Sequence, residues 1–415
     1  VRTPASSTIP AMGEGTDWRR RVIAAGPWVF AGLLGLHVLS ILLWPNANFY
    51  EIDMLVYQAG GGRVLDGAPL YDGPVTSGLL FTYPPFAGVL FAPFSLVPEL
   101  VARFLVLGAD VALLFLVSRV CWRSLTTHRG AELTRLGLFT TGLAIWLDPV
   151  RITLYLGQIN VLLLAIVTWD LVCAREKWRG AGTGIAAGIK LTPLLFIPFL
   201  LLTRRFRAAA IASATFAVTV GISFVAAPRS AAQYWFHGTF LDLNRVAFPF
   251  NPGNQSINGG LLRAMGQTHA EKITWLIAAV VVGVAGMALA VVLHRKGHTL
   301  AAISMAGMLS CVVSPYSWNH HWVWPVLLLV WLLARGAYRS AAVFWLVCLG
   351  FPDEYPSHSD SNILSGWLYL PASGWPREVL HNWWVLCYLG CAVGFVLWLR
   401  RNARVAAESS VPVMV

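Results

Sequence analysis

Asp53 lies just after the first long apolar segment, in the run Asn48-Phe49-Tyr50-Glu51-Ile52-Asp53-Met54-Leu55-Val56-Tyr57-Gln58. Helical spacing would put Tyr50, Asp53, Met54 and Tyr57 on one face. The Asp53 carboxylate then shares an aromatic, partly apolar side. Partial desolvation raises a carboxyl pKa toward the range useful to a general base. Glu51 is the competing carboxylate, and a helix N-terminal acid that only satisfies the dipole is the plain alternative. The nearby Gly60-Gly61-Gly62-Arg63 has no strand-to-helix context and reads as a loop. Asp66 and Asp72 sit among Gly and Pro and read as turn residues.

Three further places could carry chemistry. Lys190 lies in the middle of an apolar segment, where an unpaired ammonium costs roughly 2.5–3.5 kcal/mol. It should face a cavity or an anion, or else snorkel to a carbonyl or carboxylate. Residues 229–263 hold Trp235, His237, Asn251, Asn254, Gln255, Ser256, Asn258 and Arg263. Aromatic rings stack on the C–H faces of sugars and amides bond their hydroxyls, while capping and turn formation is the simpler use. Asn254-Gln255-Ser256 is set aside as a glycan acceptor on spacing. The densest cluster is Ser314-Pro315-Tyr316-Ser317-Trp318-Asn319-His320-His321-Trp322. A histidine there could donate to a phosphate oxygen, or the run could be an interfacial aromatic belt. Adjacent histidines diverge on a helix, and HExxH, DxD and Cys/His pairs are absent, so no metal and no cofactor is expected.

The elements that must position these residues are membrane helices. Of 415 residues, 57% are hydrophobic and 12% charged, and mean hydropathy is +0.64. A soluble domain carries about twice that charged share. Apolar runs near the ~20 residues that cross a bilayer recur from Ile23–Trp44 to Trp383–Leu399. The fold expected is all-α, because in lipid the backbone must satisfy its own hydrogen bonds. The first segment lacks a small-x-small cleavage site and reads as a retained helix. The six cysteines form no CxxC and read as small apolar packing residues.

Net charge is +11, and 20 of the 30 basic residues fall in seven short blocks. The positive-inside rule makes these blocks cytoplasmic, so the basic balance reports topology and contact with membrane lipids, with no nucleic acid as partner. The connections at 45–80, 148–158, 229–272, 314–321 and 351–381 then face outside. They carry 11 of the 19 acids. Phe81–Pro98, broken by four prolines, reads as a short or re-entrant helix. Gly180–Leu202, basic at both ends and broken at Lys190-Leu191-Thr192-Pro193, reads as two half-helices that go up and return. The expected count is about twelve transmembrane helices with short external juxtamembrane helices. Residues 1–18 and 405–415 are expected as cytoplasmic tails around a single domain at 19–404.

Taken in order, Asp53, Thr82-Tyr83-Pro84-Pro85-Phe86, Asp148-Pro149, Gly157-Gln158-Ile159-Asn160, Lys190-Leu191-Thr192-Pro193, Asn254-Gln255-Ser256 and Ser314-Pro315 to His320-His321 resemble a family. It is that of the actinobacterial GT-C membrane glycosyltransferases that use polyprenyl-phosphate-mannose, in particular those that extend phosphatidylinositol mannosides with α-1,2-mannose. The resemblance covers about residues 19–404. It implies a plasma-membrane enzyme whose active site faces the periplasm, with Asp53 as base. It implies lipid-phosphate binding by Lys190, Arg263, His320 or His321. It implies sugar and acceptor contacts from Glu51, Tyr83, Gln158, Asn160, Asn254, Gln255 and Trp318. The implied substrates are polyprenyl-phosphate-mannose and a phosphatidylinositol mannoside. A β-mannosyl phosphate that becomes an α-mannoside inverts, so one displacement and one base suffice. Lipid phosphate leaves readily when cationic donors hold its charge. The competing readings are a transferase of another sugar, such as arabinofuranose, or of another lipoglycan, and a polar-lipid transporter. A transporter would need charges along a path, for which Lys190, Asp110 and Asp170 are the candidates.

Overall fold

A computed structural model describes residues 15–43, 51–242, 245–246, 249–351, 366–370 and 372–409. The expectations for the extreme tails, for Asn48 to Tyr50, and for most of the connection before Gly366 lie outside these residues. Among the described residues there is no β-strand, only three isolated bridges. The all-α expectation holds.

Five helices are long and apolar enough to cross a bilayer: Arg20–Leu43, Glu99–Leu125, Phe206–Ala226, His269–Arg295 and Trp383–Val405. Their outer faces carry exposed Leu100, Phe104, Leu105, Val280, Val281 and Val284. In water these faces would be aggregation sites, and in lipid they are solvated. The centre of the bundle is made differently. Thr299–Val313 is buried from Leu300 through Val312, and Pro325–Ala334 is buried on nearly every side. Their 15 and 10 residues are shorter than a bilayer crossing, about 22 and 15 Å at 1.5 Å per residue. They are sheathed in protein, not lipid.

Other apolar elements are also short, including Pro85–Leu96, Asn160–Val172 and Thr192–Leu202. The expected re-entrant segment is a helix at Pro85–Phe91 followed by a 3-10 turn at Pro93–Leu96. Its residues Pro85, Ala87, Gly88 and Phe91 are buried. The expected half-helices are also present. Ala181–Ile189 stops at Lys190, a 3-10 turn covers Thr192–Leu195, and Phe196–Leu202 follows. Proline at 193 removes a donor and disfavours helical geometry just before it, which breaks the helix there.

The basic blocks share one end of the bundle. Arg123 and Arg179 lie in electrostatic range of Cys173, Arg179 of Arg205, and Arg205 and Arg295 of His294. Arg335 packs over Trp331 and Trp398. Asp170, one of the candidate path charges, is a helix cap at this end. Its carboxylate accepts from Gly180 N, Thr183 N and Thr183 Oγ1 at 2.7–3.0 Å. That saturates the anion and removes it from any conducting path.

Candidate active site

The helix Ile52–Leu65 runs through Gly60-Gly61-Gly62-Arg63, which the sequence presented as a loop: Gly60 and Gly61 pack against the Phe81 ring and the Phe91 backbone, where no Cβ fits, and the helix is held by its first residues. The Glu51 amide donates to Tyr155 O at 2.8 Å, so the helix begins against the end of the helix Asp148–Leu156. Gly157 makes this approach possible. Its φ is +64°, and a Cβ there would lie 2.8 Å from the Cβ of Met54 and 3.2 Å from that of Glu51. Only glycine fits both the left-handed backbone and the contact. One turn of chain later, Gln158 and Asn160 emerge beside the first turn of the Asp53 helix.

There the predicted residues converge. Gln158 Nε2 donates to Asp53 Oδ2 at 2.6 Å. Tyr57 donates to Gln158 Oε1 at 2.7 Å and meets the Tyr83 hydroxyl at 3.0 Å. Asn160 Nδ2 reaches Gln158 Oε1 at 3.4 Å, and Lys190 Nζ donates to Asn160 Oδ1 at 3.0 Å. The ammonium also sits 5.6 Å from the Tyr83 ring centroid, a cation–π placement. A chain of two amides thus joins a carboxylate to an ammonium. One N–H of Lys190 is used by Asn160, and two more can serve a ligand.

Electrostatics set Asp53 apart. Burial pushes its carboxyl up to about 6, against the Gln158 hydrogen bond and the Lys190 charge, which both favour the ionised form. Such a group is ionised at neutral pH yet basic enough to accept a proton. Glu51 is wholly buried, and burial pushes it up to about 7 despite its ion pair with Arg103 at 2.8 Å. Arg103 also holds Glu99. Glu51 therefore faces the long helix Glu99–Leu125 and not the amide chain.

His320 and His321 lie on a 3-10 turn, Asn319–His321, within electrostatic range of Lys190. Burial first, and Lys190 second, hold both rings well below the ordinary histidine range, so both are neutral. His321 Nδ1 is 3.4 Å from Ser317 Oγ. His320 Nε2 is buried with no protein partner. A neutral imidazole can donate one N–H to an anion at no cost in charge repulsion with Lys190.

The structure puts the remaining predicted residues elsewhere. Asn254 and Gln255 are fully buried. Asn254 Oδ1 accepts from Ser317 N at 3.1 Å and from Ser256 Oγ at 2.9 Å, and its Nδ2 donates to Pro249 O at 3.1 Å. Gln255 Nε2 donates to Pro252 O and His381 O, and Oε1 accepts from Trp384 N at 2.9 Å. Arg263 donates to Asn251 O, Asn254 O, His381 O and Asn382 Oδ1, and burial lowers its pKa to about 10, still protonated. These three clamp the loop 249–256 to the segments 314–322 and 381–384. Trp318 belongs to both regions. It pairs through its backbone with Asn254 and stacks at 6.2 Å on His320. Asn254-Gln255-Ser256 does have Asn-x-Ser spacing, so spacing cannot exclude a glycan there. Burial of Asn254 does.

Three contributors were not singled out for the site. Tyr57 lies one helical turn from Asp53, and that spacing was the available signal. Arg103 is 52 residues from Glu51, and a cation near the start of an apolar helix was its only mark. Asp148 is 2% exposed, accepts from Trp384 Nε1 at 2.9 Å and lies 3.4 Å from Asn319 Nδ2, which ties down the histidine turn. Among the described residues no three His, Cys, Asp or Glu side chains gather as a metal site.

Comparison with known proteins bears on this constellation. The family model of Glycosyltransferase family 87 matches residues 81–315. A polyprenol-phosphate-mannose-dependent alpha-(1-2)-phosphatidylinositol mannoside mannosyltransferase of Mycobacterium tuberculosis is 33% identical over 95% of both chains. A polyprenol-phosphate-mannose-dependent alpha-(1-2)-phosphatidylinositol pentamannoside mannosyltransferase of Mycolicibacterium smegmatis is 35% identical over 77% of this chain and 81% of its own. No solved structure matches.

Proposed function

The chain belongs to glycosyltransferase family 87, and on that premise we propose that it transfers mannose from polyprenyl-phosphate-mannose to a phosphatidylinositol mannoside, forming an α-1,2 linkage with inversion. The observation that carries this reading is the amide chain that joins Asp53 to Lys190.

Asp53 acts as the general base. It takes the proton of the acceptor hydroxyl as that oxygen attacks the anomeric carbon, and the bond to the lipid phosphate breaks on the opposite side. A positioned base contributes roughly 10²–10⁴-fold. Gln158 holds the carboxylate in one orientation, and Tyr57 and Tyr83 hold Gln158. The departing phosphate gains charge in the transition state, and Lys190 with a neutral imidazole of His320 or His321 binds it there. The step needs no metal and no cofactor, since lipid phosphate leaves without a protein acid. Tyr83 and Trp318 would border the sugars, and Glu51, buried against Arg103, would not.

The end of the bundle that carries the basic blocks is proposed as cytoplasmic, with both termini on that side, about twelve membrane segments of a GT-C fold when the short helices are counted, and the site on the periplasmic face. Residues 19–404 act as one catalytic unit. The amide clamp around Gln255 and Arg263 shapes the external loops and does not touch the reacting atoms.

The test is transfer by purified protein in lipid, with phosphatidylinositol tetramannoside and pentamannoside as acceptors and Asp53→Asn beside wild type. Mannose transferred by the wild type and lost in a folded Asp53→Asn supports the reading. Transfer of arabinofuranose alone, or full activity in Asp53→Asn, would sink it.

A further inference from the structure

A groove opens at the end of the bundle that carries the basic blocks, between the helices Glu99–Leu125 and Asn160–Val172. Its volume is about 420 Å³, within the roughly 300–1,000 Å³ typical of ligand sites. Leu116, Val120, Leu162, Ala165 and Ile166 form an apolar wall. Trp169 and Trp178 flank it, 58% and 62% exposed. Indoles so placed mark the level of a membrane interface.

The mouth is cationic. Arg123, Arg175 and Lys177 are exposed, Arg175 and Lys177 beside the lining residues Ala174 and Trp178, and Arg123 and Arg179 both lie in electrostatic range of Cys173, at the C-terminal end of the helix Asn160–Val172. The acid in this block, Glu176, is held by Arg179. Asp170 also lines the groove, but its carboxylate is saturated by Gly180 and Thr183. Deeper in the wall, the Thr168 hydroxyl is buried and has no protein partner. Thr168 is five residues from Cys173, about 7 Å along a helix, which is close to the thickness of one headgroup layer.

We propose that this groove binds a glycerophospholipid with an anionic headgroup from the leaflet at the basic end. One acyl chain lies along the Leu116–Ala165 wall. The phosphate meets Arg123 and Lys177. Charge complementarity selects the occupant: an apolar groove alone would take any acyl chain, but three exposed cations at its mouth favour an anion. This site is separate from the transfer chemistry, so its failure leaves the Asp53 reading untouched.

Native mass spectrometry of the full chain tests it, after delipidation and titration with phosphatidylglycerol or phosphatidylcholine of matched chains. Wild type should prefer phosphatidylglycerol. Arg123→Gln with Lys177→Gln should bind it about thirtyfold more weakly, a loss of about fivefold per cation near an anionic headgroup. Its phosphatidylcholine binding should fall far less, because the choline cation offsets the phosphate charge. Ala165→Trp, which fills the groove, should weaken both lipids at an unchanged melting temperature. Equal wild-type affinity for the two lipids, or wild-type phosphatidylglycerol binding by the double variant, overturns the proposal. Should a variant not fold, wild type decides: raising salt to about 0.5 M must weaken phosphatidylglycerol and spare phosphatidylcholine.

Discussion

Gln158 with Asn160, and Gln255 with Asn254, are the same pair of amides put to opposite uses. Gln255 and Asn254 end on backbone groups, Pro252 O, His381 O, Trp384 N, Pro249 O and Ser317 N, and on the uncharged Ser256 hydroxyl. Each bond fixes a stretch of chain, and little donor or acceptor capacity is left over. Gln158 and Asn160 end on side chains that carry charge, Asp53 and Lys190. Their bonds orient an anion and a cation and leave both able to meet a ligand. A buried amide saturated by backbone fixes a loop, and one that terminates on ionisable groups positions chemistry. The two regions meet at Trp318, so damage to one can be separated from damage to the other only by reading stability and rate together.

The largest separation is expected from Asp53→Asn. Turnover should fall about 10³-fold, within the range for loss of a general base, at a wild-type melting temperature. A collapse of the fold with the rate would place Asp53 with the clamp instead.

Gln255→Ala should do the reverse. It leaves Trp384 N and Pro252 O without partners, each costing about 1–3 kcal/mol when buried, and strips His381 O of one of its two donors. A loss of about 3 kcal/mol should appear as a clear drop in melting temperature, while turnover per folded molecule stays within a few-fold. A thousandfold fall in turnover with no thermal change would erase the distinction between the regions.

Much of the cluster that joins Asp53 to Lys190 was legible in the sequence. Asp53, Lys190 and the histidine pair each break the local pattern, polar side chains where apolar ones are cheaper, while Tyr83, Gln158 and Asn160 were marked only by the family resemblance. Lys190 announced itself by desolvation cost, and Tyr57 by its turn from Asp53. The clamp was not legible, because amides that bind sugar and amides that bind backbone look alike until the loops are packed. Arg263 reads as a free cation in sequence and is consumed by four acceptors in the fold. The helices were legible as a class but not by length. The central pair Thr299–Val313 and Pro325–Ala334 is apolar enough to span and too short to, since protein surrounds it.

A smaller effect sharpens the role of Gln158. Asp53 must be ionised to accept a proton, so kcat/KM should climb about tenfold per pH unit below about 6 and level off above. Gln158→Ala removes a donor that favours the ionised carboxylate. The limb should then move to higher pH, with a roughly tenfold loss at neutral pH. A pH–rate profile decides. An unmoved limb with reduced turnover would make Gln158 a packing residue like Gln255.

Glu51 gives the smallest and most discriminating change. Its carboxyl is pushed up to about 7 in the fold, against roughly 4.3 for an exposed glutamate. Between those values the folded state holds the proton more tightly than the unfolded chain does. Glu51 therefore costs the fold nothing below about pH 4, weakens it progressively as pH rises toward 7, and adds no further change above that. Asp53 contributes with the same sign over a narrower window, up to about 6. Glu51→Gln should flatten most of the decline in melting temperature between about pH 5 and 7.5 and leave turnover within a few-fold. Thermal melts and transfer rates on the same preparations measure both. If turnover instead fell a thousandfold in Glu51→Gln and survived in Asp53→Asn, the base would be the carboxylate paired with Arg103, and the amide chain from Gln158 to Lys190 would be scaffolding after all.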